Sequence, residues 1–199
     1  MGTQDRRFRE ATARRQMILA AARPLFLKNG FTATTMPQIA AVAELAPGTL
    51  YLYYPSKIAL YAELLNEGYD ILIDRLRKAV KGKGAARAQA TALVEAFLKF
   101  AQESPDYFDT LFFILQREGR SAAQALAPEQ LAGLRQREEV CKSLAATMLA
   151  HLPAQRRPAA VEAVWTMLAG LAFFYRADPN FAAVGREAKR LLITGLFAE

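Results

Sequence analysis

One cysteine, Cys141, and one histidine, His151, stand among 199 residues. That scarcity excludes an internal disulfide, a zinc site built from Cys and His, and any His-centred catalytic triad not resting on His151. Glycine (11) and proline (9) are too few for a collagen-like or linker chain, and 53% hydrophobic residues are too many for disorder. The longest charge-free apolar stretch, Ala163 to Tyr175, is 13 residues. A membrane-spanning helix needs roughly 20. The opening residues MGTQDRRFRE are polar, with no apolar signal core after them. A soluble, cytoplasmic chain without membrane contact is the expectation. Also missing are a Gly-rich phosphate loop, a nucleophile–base pair and a cluster of metal ligands, so no enzyme, no metal and no cofactor are expected.

What is present is positive charge, unevenly spread. Lys and Arg number 26 against 19 Asp and Glu, a net charge of +7. Residues 1–57 hold eight of the basic and three of the acidic groups, so five of the seven net charges lie there. Such a distribution fits either a solvated surface with a ragged basic terminus or a small nucleic-acid-binding head on a nearly neutral body.

Alanine is abundant, β-branched runs are absent, and no stretch alternates apolar and polar residues long enough for a strand. The pattern predicts an all-α chain of about nine helices. Gly30 is a stop for a first helix over about 12–29. Thr35 and Gln38 have the spacing of a capping box that opens a second. Pro47 starts a third that ends near Tyr54, and Ser56 caps a long helix towards Lys81, closed by Gly82-Lys83-Gly84. Proline recurs at Pro105, Pro128, Pro158 and Pro179 as a first helical residue, which predicts helices over about 85–103, 105–117, 128–151, 158–177 and 179–197. Two short helices joined by Glu44-Leu45-Ala46, a motif over about 35–54, have the spacing of a helix-turn-helix. In that motif the first helix crosses the DNA backbone and the second enters the major groove.

Arg15 to Leu60 resembles the DNA-binding head of TetR/AcrR-type transcriptional regulators. The resemblance is carried by Arg15, Ile18-Leu19, Ala21, Leu25-Phe26, Gly30-Phe31, Thr34-Thr35, Ile39-Ala40 and Ala43. It continues through Gly48-Thr49-Leu50-Tyr51, Tyr53-Tyr54, Ser56-Lys57 and Leu60. Three positions depart from the family pattern. Glu44 stands where the turn usually has glycine, Ala46 replaces a serine N-cap, and Pro24 interrupts the first helix.

The resemblance implies a DNA-binding domain over 12–72 and a ligand-binding and dimerisation domain over 73–199, joined by the long helix. It places Pro47, Gly48, Thr49 and Tyr51 at the groove-facing start of the recognition helix. Tyr53 and Lys57 become phosphate contacts, with Thr35 and Gln38 approaching from the second helix. Against this, one of Tyr51 and Tyr53 packing on the first helix, and Lys57 as a plain solvated lysine, stay open. Leu50, Ile39, Ala40 and Tyr54 read as core. The arm Arg6-Arg7-Phe8-Arg9 is open between a minor-groove contact and a free basic tail.

In the body, the helix over 158–177 is apolar nearly all round and must be buried on most sides. With the helix over 179–197 it is expected to form a homodimer interface, as the family does; a monomer's central core helix is the alternative. Phe97, Phe100, Phe108, Phe112, Trp165 and Phe174 read either as the lining of a pocket for a largely apolar small-molecule effector or as ordinary core. Arg117, Glu118 and His151 are candidate polar anchors, and Cys141 a small buried hydrophobe. The function implied is that of a ligand-released homodimeric repressor on a pseudo-palindromic double-stranded operator. A helical carrier or enzyme for an apolar small molecule is the rival reading, and a helical RNA-binding protein the third.

Overall fold

The computed structural model describes residues 2–114 and 126–198. Among them are nine α-helices and no strand: α1 Thr3–Ala33, α2 Met36–Val42, α3 Pro47–Tyr53, α4 Lys57–Val80 and α5 Ala86–Glu103. They continue with α6 Pro105–Asp109, a π-helical turn Thr110–Ile114, α7 Pro128–Met148, α8 Arg157–Tyr175 and α9 Phe181–Leu196. The chain is all-α, as its composition predicts.

The elements divide between two units. The first takes Met1–Gly68 and Asp109–Ala132, the second Tyr69–Phe108 and Gly133–Glu199, so α4 contributes residues to both. In the first unit Ile18, Leu19, Ala22 and Phe26 of α1 are buried with Ile39 and Ala40 of α2, Leu50 of α3, and Leu60, Tyr61 and Leu64 of α4. Phe26, Phe31 and Tyr61 form an aromatic knot, with ring centroids 5.0–6.0 Å apart. In the second unit α5 packs on α8 and α9. Gly185 of α9 packs against Leu98 of α5 and is buried there.

Helix punctuation explains most boundaries. Gly30 adopts φ 81°, ψ 171°, a conformation that only glycine takes easily, and so interrupts α1 where the sequence predicts a stop. The buried Thr34 hydroxyl donates to the Gly30 carbonyl at 2.7 Å. Ser56 Oγ accepts the Ala59 N–H at 3.1 Å and caps α4.

Three boundaries differ from expectation. α1 begins at Thr3 rather than about residue 12, so the basic arm is helical. α9 begins at Phe181 rather than Pro179. Asp178 accepts from the Asn180 N–H through Oδ1 (2.7 Å) and from the Phe181 N–H through its carbonyl (3.0 Å), making a turn of the Asp-Pro-Asn segment. The helix expected over 105–117 is five α-helical residues and the π-helical turn as far as Ile114. Its remainder, with Arg117 and Glu118, lies outside the described residues.

Among the described residues α8 is the one helix long and apolar enough to cross a membrane by length and composition alone, the test that a core helix also passes, and little of its apolar stretch is buried within the chain. The uncharged stretch of 13 residues understated it, because Glu162 falls within the helix. Glu162 pairs with Lys142 of α7 at 2.7 Å.

Candidate nucleic-acid interface

α2 starts at a reciprocal cap. Thr35 Oγ1 accepts the Gln38 N–H at 3.3 Å, and Gln38 Oε1 accepts the Thr35 N–H at 2.9 Å. The Thr35 hydroxyl also donates to Gln38 Oε1 at 3.0 Å. Both expected contact residues are exposed, yet they spend their oxygens on the cap, leaving the Gln38 amide nitrogen to reach outward.

The turn is made by Glu44 at φ 53°, the one described non-glycine residue with positive φ. The Leu45 N–H donates to the Ala40 carbonyl (2.9 Å) and the Glu44 N–H to the Ala41 carbonyl (3.2 Å), the double bond of a Schellman cap. Its geometry asks for glycine, and the chain meets it with a strained glutamate. α3 then starts on Ala46 without a side-chain cap, with Pro47 as its first residue.

Leu50 is fully buried and holds α3 to the head. Pro47, Gly48, Tyr51 and Leu52 are exposed, while Thr49 and Tyr53 are half-buried. Tyr54 is 1% exposed, so of the consecutive tyrosines it is the one that packs. Burial, then the nearby Glu63 carboxylate, pushes its hydroxyl pKa up, and the Arg15 guanidinium stacks 5.3 Å from its ring centre. Leu52 is 83% exposed, and Val42, an apolar position of the second helix that its pattern predicts to pack, is 53% exposed instead. Periodicity held the signal for Leu52, because two residues past buried Leu50 is about 200° around the helix.

Lys57 has a different placement from the one expected. Its ammonium donates to the carbonyls of Phe31 (2.6 Å), Thr34 (2.8 Å) and Thr32 (3.1 Å), and lies 4.4 Å from the Phe31 ring centre. A lysine has three donors, and these bonds engage all three at the corner where α1 gives way to α2.

In the second unit the expected aromatics separate. Phe97 meets Trp165 (5.4 Å) and Phe108 (6.1 Å) edge-on. Phe100 is buried with the Arg75 guanidinium 5.8 Å from its ring centre. Phe112, on the π-helical turn of the first unit, is half-buried. Phe174 is 76% exposed and paired with Phe173, outside the cluster. Nine residues from Trp165 amount to half a turn in phase, so Phe174 faces the other way. Arg176, 5.3 Å from the Phe108 ring centre, is a cation at the cluster's edge that the sequence did not single out.

His151 Nε2 lies 2.8 Å from the Leu196 carbonyl, with its ring stacked on Phe197, at the end of α9. Cys141 is fully buried, and burial raises its thiol pKa to about 12. No group of acidic, His or Cys side chains suited to a metal occurs among the described residues. Between α8 and α9 runs an apolar groove of about 540 Å³, lined by Val164, Met167, Leu168, Leu191, Leu192 and neighbouring small residues.

A short capped helix, a four-residue connection and a second short helix with an exposed outer face, set in an all-helical chain, define a helix-turn-helix protein. Residues 18–64 match the model for bacterial regulatory proteins of the tetR family. Residues 90–195, more than half of the chain, match the tetracyclin repressor-like C-terminal domain. The chain belongs to the tetR family. The transcriptional activator FasR of Mycolicibacterium smegmatis is 31% identical over 99 residues, 50% of this chain and 45% of FasR. The match thus spans less than half of that relative's length. Among solved structures, a tetR-family regulatory protein from Rhodococcus RHA1 has TM-score 0.79 at 18% identity, covering 92% of this chain and 96% of that one. AibR, in complex with isovaleryl coenzyme A and operator DNA, has TM-score 0.74 at 16% identity, covering 92% and 98%. These likenesses establish the fold.

Proposed function

We propose that this chain is a homodimeric transcriptional repressor that binds a pseudo-palindromic operator and is released from it by a largely apolar small molecule. The observation that carries this is the outer face of α3: Leu50 anchors the helix while Pro47, Gly48, Tyr51 and Leu52 stand exposed on it. Beyond its chain neighbours and its own helix backbone, Gly48 has no atom within 4 Å of where a Cβ would sit, which leaves the backbone open to close approach. The helix lacks Arg, Asn and Gln, so readout rests on Thr49, Tyr51 and Leu52 against thymine methyls and base edges, on Gln38 from α2, and on DNA shape. Tyr53 and Thr35 serve the phosphates. Lys57 holds the head together rather than reaching DNA. DNA binding is assigned to residues 12–72, and effector and dimer contacts to 73–199.

The apolar groove between α8 and α9 supports the dimer. Met167 and Leu191, each 58% exposed, rim a surface that water covers at a cost, and a second copy offers a self-complementary cover. Two heads must be paired to reach successive major grooves about 34–36 Å apart. Phe97, Phe108 and Trp165 supply the apolar wall for the effector, and AibR is a neighbour of this fold caught with an acyl coenzyme A. Release needs an effector that prefers the conformation with misplaced heads. Moving a 1:99 population to 99:1 takes about 5.5 kcal/mol of differential affinity. α4, with residues in both units, is the element through which that preference reaches the head.

The test is selection of genomic fragments by the purified protein, followed by binding of the best duplex and a scrambled control. A palindromic site bound well above the control, with reporter expression falling when the protein is present, is expected. Equal weak binding to both duplexes overturns the proposal.

A further inference from the structure

We propose that the basic N-terminal extension of α1, residues 3–14, is a second DNA-contacting surface that grips duplex phosphates flanking the site read by α3. It rests on the DNA-binding reading above. From Gln4 to Met17 no side chain is buried, and only Ala11 is even half-covered. The stretch from Gln4 to Arg14 makes about 16 Å of helix with no buried side chain to hold it, and isolated helices this short are marginal in water. Helical order without a packing partner suits a surface that meets its partner on binding.

The charges name that partner. Within residues 3–14, Arg6, Arg7, Arg9 and Arg14 face only Asp5 and Glu10, an excess of two positive charges. Arg6 pairs with Glu10 at 3.3 Å, and Arg9 Nε donates to the Asp5 carbonyl at 3.3 Å. Arg15 pairs with Glu63 at 3.5 Å and stacks on Tyr54. Among the described residues Arg7 and Arg14 make no ion pair, and Arg14 has a long hydrogen bond to the Met17 sulfur, at 3.8 Å. Seven residues apart, they share a face two turns apart, about 10.5 Å along the axis. Tyr54 directly follows α3, so the Arg15 stack roots the extension at the end of the recognition helix. Two unpaired guanidiniums on one face, rooted there, fit the backbone of the same duplex.

The experiment uses the full chain, a duplex of random sequence of about 40 base pairs and fluorescence anisotropy between 50 and 200 mM salt, where phosphate contacts dominate. Replacing both residues (Arg7→Ala with Arg14→Ala) should make the slope of log K against log salt shallower by about 1.8 for each bound head. Across that fourfold salt range the variant then loses about twelvefold less affinity than wild type. The paired Arg7→Lys and Arg14→Lys variant should restore the slope, with circular dichroism unchanged throughout. An unchanged slope in the alanine variant, or no restoration by lysine, overturns the proposal while leaving wild-type binding and the α3 reading intact. A wild-type chain that binds no duplex overturns both.

Discussion

Lys57→Met separates a structural role from a DNA contact at one position. Methionine keeps the stem and removes the ammonium, leaving the Phe31, Thr32 and Thr34 carbonyls without their shared donor. A hydrogen bond to a charged group contributes about 1.5–3 kcal/mol when shielded. Only the bonds to Phe31 and Thr34 are partly buried, so they carry most of the effect. The ring contact with Phe31 adds about 0.5 kcal/mol, giving a loss of about 2–3 kcal/mol after allowance for solvent. For a chain of this size that lowers Tm by roughly 5–10 °C, read by far-UV circular dichroism. The salt slope of DNA binding, measured well below that melting point, should not move. A lysine that bound phosphate instead would leave Tm unchanged and cut the slope by about 0.9. That pair of results would refute the assignment.

Glu44→Gly should stabilise the head by about 0.5–1 kcal/mol, because the left-handed conformation costs glutamate more than glycine's extra chain entropy does; a lower urea midpoint would contradict the strained turn. Ala46→Ser should add about 1 kcal/mol by capping α3, and an unchanged midpoint would show that Pro47 already suffices. Leu191→Glu places a charge in the groove between α8 and α9 and should convert dimer to monomer in sedimentation. A variant that stays dimeric would move the interface elsewhere.

Local punctuation made the head legible from sequence. Thr35 with Gln38, Ser56 before α4 and Gly30 within α1 act over three or four residues, and each caps or breaks a helix where its spacing predicts. The glycine missing from the turn also pointed correctly to strain at Glu44. Contacts across the fold were less legible. Lys57 looks like any lysine beside a DNA-binding motif until Phe31, Thr32 and Thr34 are brought to it from 23 to 26 residues away. Phe174 looked like pocket lining because composition counts aromatics without their phase. The exposure of α8 has a similar cause: its all-round apolarity predicts burial, but a single chain supplies neighbours for only part of it.

The central claim is that the outer face of α3 reads DNA sequence, and one comparison tests it most directly. Binding of wild type and of the Tyr51→Ala, Leu52→Ala double variant should be measured on the selected duplex and on its scrambled control at one salt concentration. Both side chains are exposed, so the variant should keep its Tm. Its preference for the selected duplex should fall by about 10- to 100-fold, the worth of one or two lost base contacts, while binding to the scrambled duplex stays nearly constant. Preference retained in full by a folded double variant would contradict the claim.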